Sequence, residues 1–142
     1  MNLPSHDLRS LSLSSIAQHC RQESERYFRG QANDPTYCYE LFRRALVERS
    51  DGAWSLLYAQ YMPLVMGWIE RHSGYAGSGE DMTYFVNRAY EKMWSAIPAE
   101  KFPRFPDLKS LLRYLQLCVH SVIIDHIRAE EVAALEEPTL IL

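Results

Sequence analysis

The feature that most constrains the fold is one uninterrupted stretch near the C-terminus. From Asp107 to Ala134 the chain reads DLKSLLRYLQLCVHSVIIDHIRAEEVAA, with neither Gly nor Pro. Leu108, Leu111, Leu112, Leu115, Cys118, Val119 and Val122 recur there at intervals of three and four. That spacing lines side chains along one face of an α-helix. The spacing predicts a long helix from about Pro106-Asp107 to Ala134. Such a helix is stable in water only when its apolar face is covered by other elements.

The rest of the chain supplies helices to cover it. Residues 1–11 read as a loose tail. A helix starts near Ser12 or Ser14, with Ser as its cap, and runs to Phe28 before Gly30 to Asn33 break it. Asp34-Pro35 then forms a helix start, a capping acid followed by Pro at the first helical position. Cys38, Leu41, Phe42, Ala45 and Leu46 follow at helical spacing. Ser50-Asp51-Gly52 ends that helix and caps the next. Its stripe is Trp54, Leu57, Tyr58, Tyr61, Val65, Trp68 and Ile69, with Pro63 as an expected kink. SGYAGSG, residues 73–79, is a linker, since no GK[ST] follows its glycines to make a phosphate loop. A further helix runs from Asp81 to Ile97. The three prolines of PAEKFPRFP stop it. No strand-like alternation and no internal repeat occur. The expectation is an all-α fold, a compact bundle of four to five helices. Its divisions are residues 1–33 (a tail and a helix of unassigned role), 34–134 (one helical domain) and 135–142 (an acidic and apolar tail).

At 142 residues, 47% hydrophobic and 23% charged, the chain has the composition of one globular domain. Its net charge of −3 excludes a uniformly basic nucleic-acid binder, so any such site must be a local patch. Cys20, Cys38 and Cys118 are an odd number without a CxxC pair. They predict neither a zinc site nor a disulfide framework, and a reducing cytoplasm fits best. No apolar run reaches membrane-spanning length. The five histidines make no metal pair at helical spacing, and no HExxH or GxSxG appears. No enzyme, metal or cofactor is expected.

Two helices carry a second face. On the Asp81–Ile97 helix, Met82, Phe85, Val86, Ala89, Met93 and Ala96 form the core stripe, while Asn87, Tyr90, Glu91 and Trp94 form another. Mixed aromatic and polar residues on a second face suit protein recognition. Alternatively, Tyr90 and Trp94 pack beneath the neighbouring N-terminal helix. Lys101 to Arg128 is net basic, with Lys101, Arg104, Lys109, Arg113 and Arg128 against Asp107 and Asp125. It also holds Phe102, Phe105 and Tyr114. Cations and flat rings together suit single-stranded nucleic acid. The competing account is a solvated amphipathic helix over a buried Phe pair. Asp125 and Arg128 stand at i, i+3, the spacing of a helix-surface ion pair.

Three segments in order resemble region 2 of bacterial RNA polymerase sigma factors, of the short extracytoplasmic-function type. They are ALVERSDGAWSLLYAQYMPLVMGWIERH (Ala45 to His72), VNRAYEKMWSAI (Val86 to Ile97) and YLQLCVHSVIIDHIR (Tyr114 to Arg128). The last has the family's aromatic-Leu start and Asp-x-x-Arg end. The resemblance implies that Asn87, Arg88, Tyr90, Glu91 and Trp94 dock on the clamp helices of the largest subunit of core RNA polymerase. It implies that Lys101, Phe102, Arg104, Phe105, Lys109, Arg113, Tyr114, His120, Ser121 and Arg128 open the promoter −10 element and hold its non-template strand.

The chain departs from the family pattern at several points. Tyr84 stands where relatives place an acid, with Asp81 one turn earlier, and Ser121 where many have Asn. AEEVAALEE follows Arg128 in place of a basic run, so the DNA surface is expected to end near Arg128. The helix-turn-helix that reads the −35 element in that family is not among these residues, and on the resemblance the sequence corresponds to the region-2 module alone. The second expectation is a sigma-derived interaction module, held by an anti-sigma-like or other regulatory protein and binding little DNA of its own.

Overall fold

A computed structural model describes residues 5–136. Six α-helices and a 3-10 turn make up the fold: α1 (Ser5–Ser10), α2 (Leu13–Phe28), α3 (Thr36–Leu46), α4 (Asp51–Glu70), α5 (Met82–Ala96), the turn Ala99–Arg104, and α6 (Leu108–Glu136). No strand occurs among the described residues. The all-helical bundle expected from periodicity is the fold observed.

Local chemistry sets the element ends. Ser12 Oγ accepts from Ser15 N at 3.1 Å at the start of α2, and Ser50 Oγ accepts from Ala53 N at 3.1 Å at the start of α4. These bonds satisfy amide donors that a helix start leaves unpaired. α2 ends on Gly30, whose φ of 71° is a left-handed conformation that only glycine adopts without steric cost. There Gly30 N donates to Tyr27 O and Gln31 N to Arg26 O, closing the helix end. Asp34 Oδ1 takes the Thr36 amide and hydroxyl at 3.0 and 2.7 Å, and so opens α3. α4 continues through Pro63.

α5 and α6 pack on each other, α4 lies against both, and α3 sits on α4. One core joins all of them. It includes Ile16 and Cys20 of α2, Phe42 of α3, Leu57 and Ile69 of α4, Phe85 and Met93 of α5, and Leu111, Leu115 and Ile123 of α6. The boundary expected between residues 33 and 34 is therefore no break in the core, because α2 packs on α3 and α4.

Three further expectations are corrected. Part of the tail is helical: α1 places Leu8 in the core, and Arg44 donates to the Leu8 and Leu11 carbonyls at 2.9 Å each. α6 continues past Ala134 to Glu136, while residues 137–142, Glu137 among them, lie outside the described residues. Cys20 and Cys38 form a disulfide, their Cα atoms 4.6 Å apart. The chain turns back between α2 and α3, and each cysteine lies on the face that meets the other helix. Cys118 is free and buried, and burial pushes its thiol up to about 11 despite the nearby Lys92 charge.

The α3 layer also holds a buried ion network. Glu40 takes Arg44 Nε at 2.7 Å and Arg43 Nε at 2.7 Å. Burial alone would raise the Glu40 carboxyl; the bonds from Arg43 and Arg44 outweigh it and hold the pKa below the ordinary value.

Candidate functional site

The outward side of α5 presents Asn87, Arg88 and Glu91 to solvent. Tyr90 does not join them. It is 2% exposed, its ring 4.8 Å from Tyr58 and 5.8 Å from Trp54 on α4. Position 90 stands one helical turn from both Val86 and Asn87, so spacing alone admits either face. The aromatic side of α4 draws it inward, and the expected surface role is corrected. Burial raises the Tyr90 hydroxyl well above the ordinary tyrosine pKa.

Trp94 is half-buried, edge-on to Trp54 at 4.8 Å. The Arg49 guanidinium lies 4.0 Å from the Trp94 ring and donates to Trp94 O at 3.2 Å and Ile97 O at 3.3 Å. Arg49 has φ 55°, a left-handed conformation uncommon for a side-chain-bearing residue. That backbone turn is what aims Arg49 at the end of α5, where cations are favoured by the helix dipole. Tyr58 donates to Asn87 Oδ1 at 2.8 Å. Arg49 and Tyr58 thus belong to the α5 surface; periodicity gave no sign of Arg49 and placed Tyr58 only in the stripe of α4.

On the other side, the turn Ala99–Arg104 exposes Lys101 and Arg104 but buries Phe102. Phe102 meets Tyr39 edge-on at 5.2 Å, so it supports the turn from beneath; its expected place on the DNA surface is corrected. Tyr39 fixes the turn's exit by donating to Phe105 O. Phe105 and Tyr114 are both half-buried and meet edge-on at 5.3 Å. Burial, with Cys118 nearby, raises the Tyr114 hydroxyl.

Along α6, Lys109, Arg113, His120 and Arg128 are exposed and Ser121 is half-buried. At 100° per residue these five fall within an arc of about 120°. Leu117, 59% exposed, lies inside that arc. Ser121 and Asp125 are both bound by Lys92 of α5, Asp125 at 3.0 Å. The expected Asp125–Arg128 pair therefore gives way to a bridge between helices, since α5 and α6 are each other's main neighbours. Beyond Arg128, Glu130, Glu131 and Glu136 are exposed, with Glu130 3.1 Å from His126.

His120 also meets His72, which follows α4, with His72 Nε2 2.9 Å from His120 Nδ1. Sequence spacing does not pair residues so far apart. Among the described residues, no group of three or more His, Cys, Asp or Glu is placed to hold a metal ion, and no helix is long and apolar enough to cross a membrane.

The arrangement offers two chemically different surfaces. One is a braced aromatic and polar face on α5. The other is a row of cations with half-open rings along the turn and α6. No family model, curated protein or solved structure matches the chain.

Proposed function

We propose that this chain is a transcription initiation module of the sigma-factor region 2 kind. It binds core RNA polymerase through α5 and the non-template strand of the promoter −10 element through the turn and α6. The observation that carries this reading is the row of exposed Lys101, Arg104, Lys109, Arg113 and Arg128 beside the Phe105–Tyr114 pair, in a chain of net charge −3. Cations neutralise phosphates, and half-open rings receive unstacked bases. Opening the duplex costs a few kcal/mol per unstacked base, which stacking and phosphate contacts offset. Asn87, Arg88, Glu91 and Trp94 are the polymerase contacts, with Tyr90 as their support. The largest subunit's clamp helices are the partner that the sequence resemblance points to. The reading places the chain in the cytoplasm, where Cys20–Cys38 would close only under oxidising conditions, since that compartment keeps most thiols reduced.

The test is retention on immobilised core polymerase, followed by run-off transcription from a −10-containing template. Retention of the wild type, and its loss in a folded Trp94→Ala variant, supports the reading. No retention of the wild type sinks it.

A second reading, an interaction module held by a regulatory protein, draws on the end of α6. Val132 and Leu135 are 51% and 86% exposed there beside Glu130, Glu131 and Glu136. Tight binding of −10 single strand in the presence of polymerase counts against it.

A further inference from the structure

His72 and His120 hold each other through a chain of hydrogen bonds with one direction. The Gly74 amide donates to His72 Nδ1 at 2.9 Å. A backbone amide can only donate, so His72 Nδ1 carries no proton and the ring proton is on Nε2. That nitrogen lies 2.9 Å from His120 Nδ1, which must then accept. The His120 proton is left on Nε2, and the side chain is exposed on the same arc of α6 as Lys109 and Arg113.

We infer that His72 is a positioning residue, which fixes His120 as a neutral N–H donor on the strand-binding face and releases it as a cation when the pair takes up a proton. The DNA part of this rests on the reading proposed above. The lock itself does not.

A single added proton cannot be fitted while both bonds hold. On His120 Nδ1 it confronts the His72 Nε2 proton. Moving the His72 proton to Nδ1 confronts the Gly74 amide. An added proton therefore breaks one of the two bonds, and when it goes to His120 Nδ1 the bond between the rings is lost and His120 is freed as imidazolium. Burial first, and the nearby His120 second, hold the His72 pKa below the ordinary histidine value, which disfavours a charge on His72 itself.

Among the described residues, the charged groups nearest in sequence or packing have places of their own. One turn away from His120 on α6 stand Gln116, Leu117, Ile123 and Ile124, none of them titratable. Glu70 and Arg71 precede His72, and the Arg71 guanidinium lies over Gly67. From α5, Lys92 is held by Ser121 and Asp125, and farther along α6 His126 faces Glu130. The loop is seated closely enough to fix the His72 ring: a Cβ on Gly74 would come within 2.6 Å of Ile127 Cδ1 and 3.1 Å of Ile123 Cγ2.

Long-range 1H–15N correlation spectra of the full chain between about pH 5 and 8 test the lock, because ring nitrogen shifts report the tautomer. Both histidines are expected as single Nε2–H tautomers at the upper end. In His72→Ala, His120 becomes a tautomer mixture. His72→Gln, which keeps an N–H donor near the lost Nε2, restores the single tautomer. A His120 Nδ1–H tautomer in the wild type, or a His120 tautomer unchanged in His72→Ala, overturns the lock.

Anisotropy of a fluorescein-labelled single-stranded DNA gives the second arm. Wild-type affinity is expected to rise about fivefold on acidification, with the salt slope steeper by about 0.7, one phosphate contact's worth. His120→Ala abolishes that change. An intact lock with pH-independent DNA binding overturns the role of His120 on the strand. An intact lock with no DNA binding at any pH overturns the promoter reading and leaves the lock standing.

Discussion

The α3 layer and the outer arc of α6 are built on opposite principles. Around α3, a disulfide to α2 and an arginine bond to α1 cross-link neighbouring segments, and a buried carboxylate holds the two arginines beside it. Along α6, Lys109, Arg113 and Arg128 stand exposed, and the polar links between helices are surface ones such as Lys92–Asp125. The first region loses a buried group's bonds when one side chain is removed, as the Leu8 and Leu11 carbonyls lose Arg44. The second keeps its charges hydrated and available to a ligand. A scaffold and a binding surface can thus be told apart by what the removal of one side chain leaves behind.

Arg44→Ala should break the comparison most severely. It leaves the buried Glu40 carboxylate with Arg43 alone and the Leu8 and Leu11 carbonyls without their donor, and about 3–4 kcal/mol should be lost in denaturant melts. Opening the disulfide by Cys20→Ser with Cys38→Ser should cost about 3 kcal/mol by loop-closure entropy, given the sequence separation of 18. A thiol titration of the unfolded wild type, purified under oxidising conditions and left unreduced, should then find Cys118 alone. Trp94→Ala, which removes a half-buried ring from Trp54 and Arg49, should cost about 2 kcal/mol in the same melts.

Strong acid should act on the cross-linked region. The folded Glu40 pKa is depressed, so its contribution is complete above the ordinary value of 4.5 and is lost as pH falls through the lower folded value. Melts in Glu40→Gln should lose that acid dependence. The smallest expected effect is Glu130→Lys with Glu131→Lys. Both sites are exposed, so stability should change by less than about 0.5 kcal/mol. Unchanged affinity for single-stranded DNA at low salt would place both residues off its path, whereas a large gain would extend the DNA face beyond Arg128.

The sequence made the helices legible because periodicity and capping are local. Ser12, Ser50 and Asp81 each stand at the N-cap of the helix that they were expected to open. What it hid depends on pairs of elements. α1 is too short to show a period. Tyr90 fits two stripes at once, and only the facing Trp54 and Tyr58 decide between them. Phe102 lies in a six-residue turn with three prolines nearby, where no helical face can be read. Arg49, Lys92 and His72 become visible only through partners on other elements. For the same reason, the cations of the candidate site were legible while their supports were not.

One consequence of α6 remains. It is a single helix of 29 residues, about 43 Å from end to end. Its first half carries the cation row, and its last turns are exposed and acidic. A regulator that gripped those turns would hold a stiff lever arm. Turning that end would rotate Lys109 and Arg113 without the regulator touching either, so control at a distance needs no moving joint within the helix.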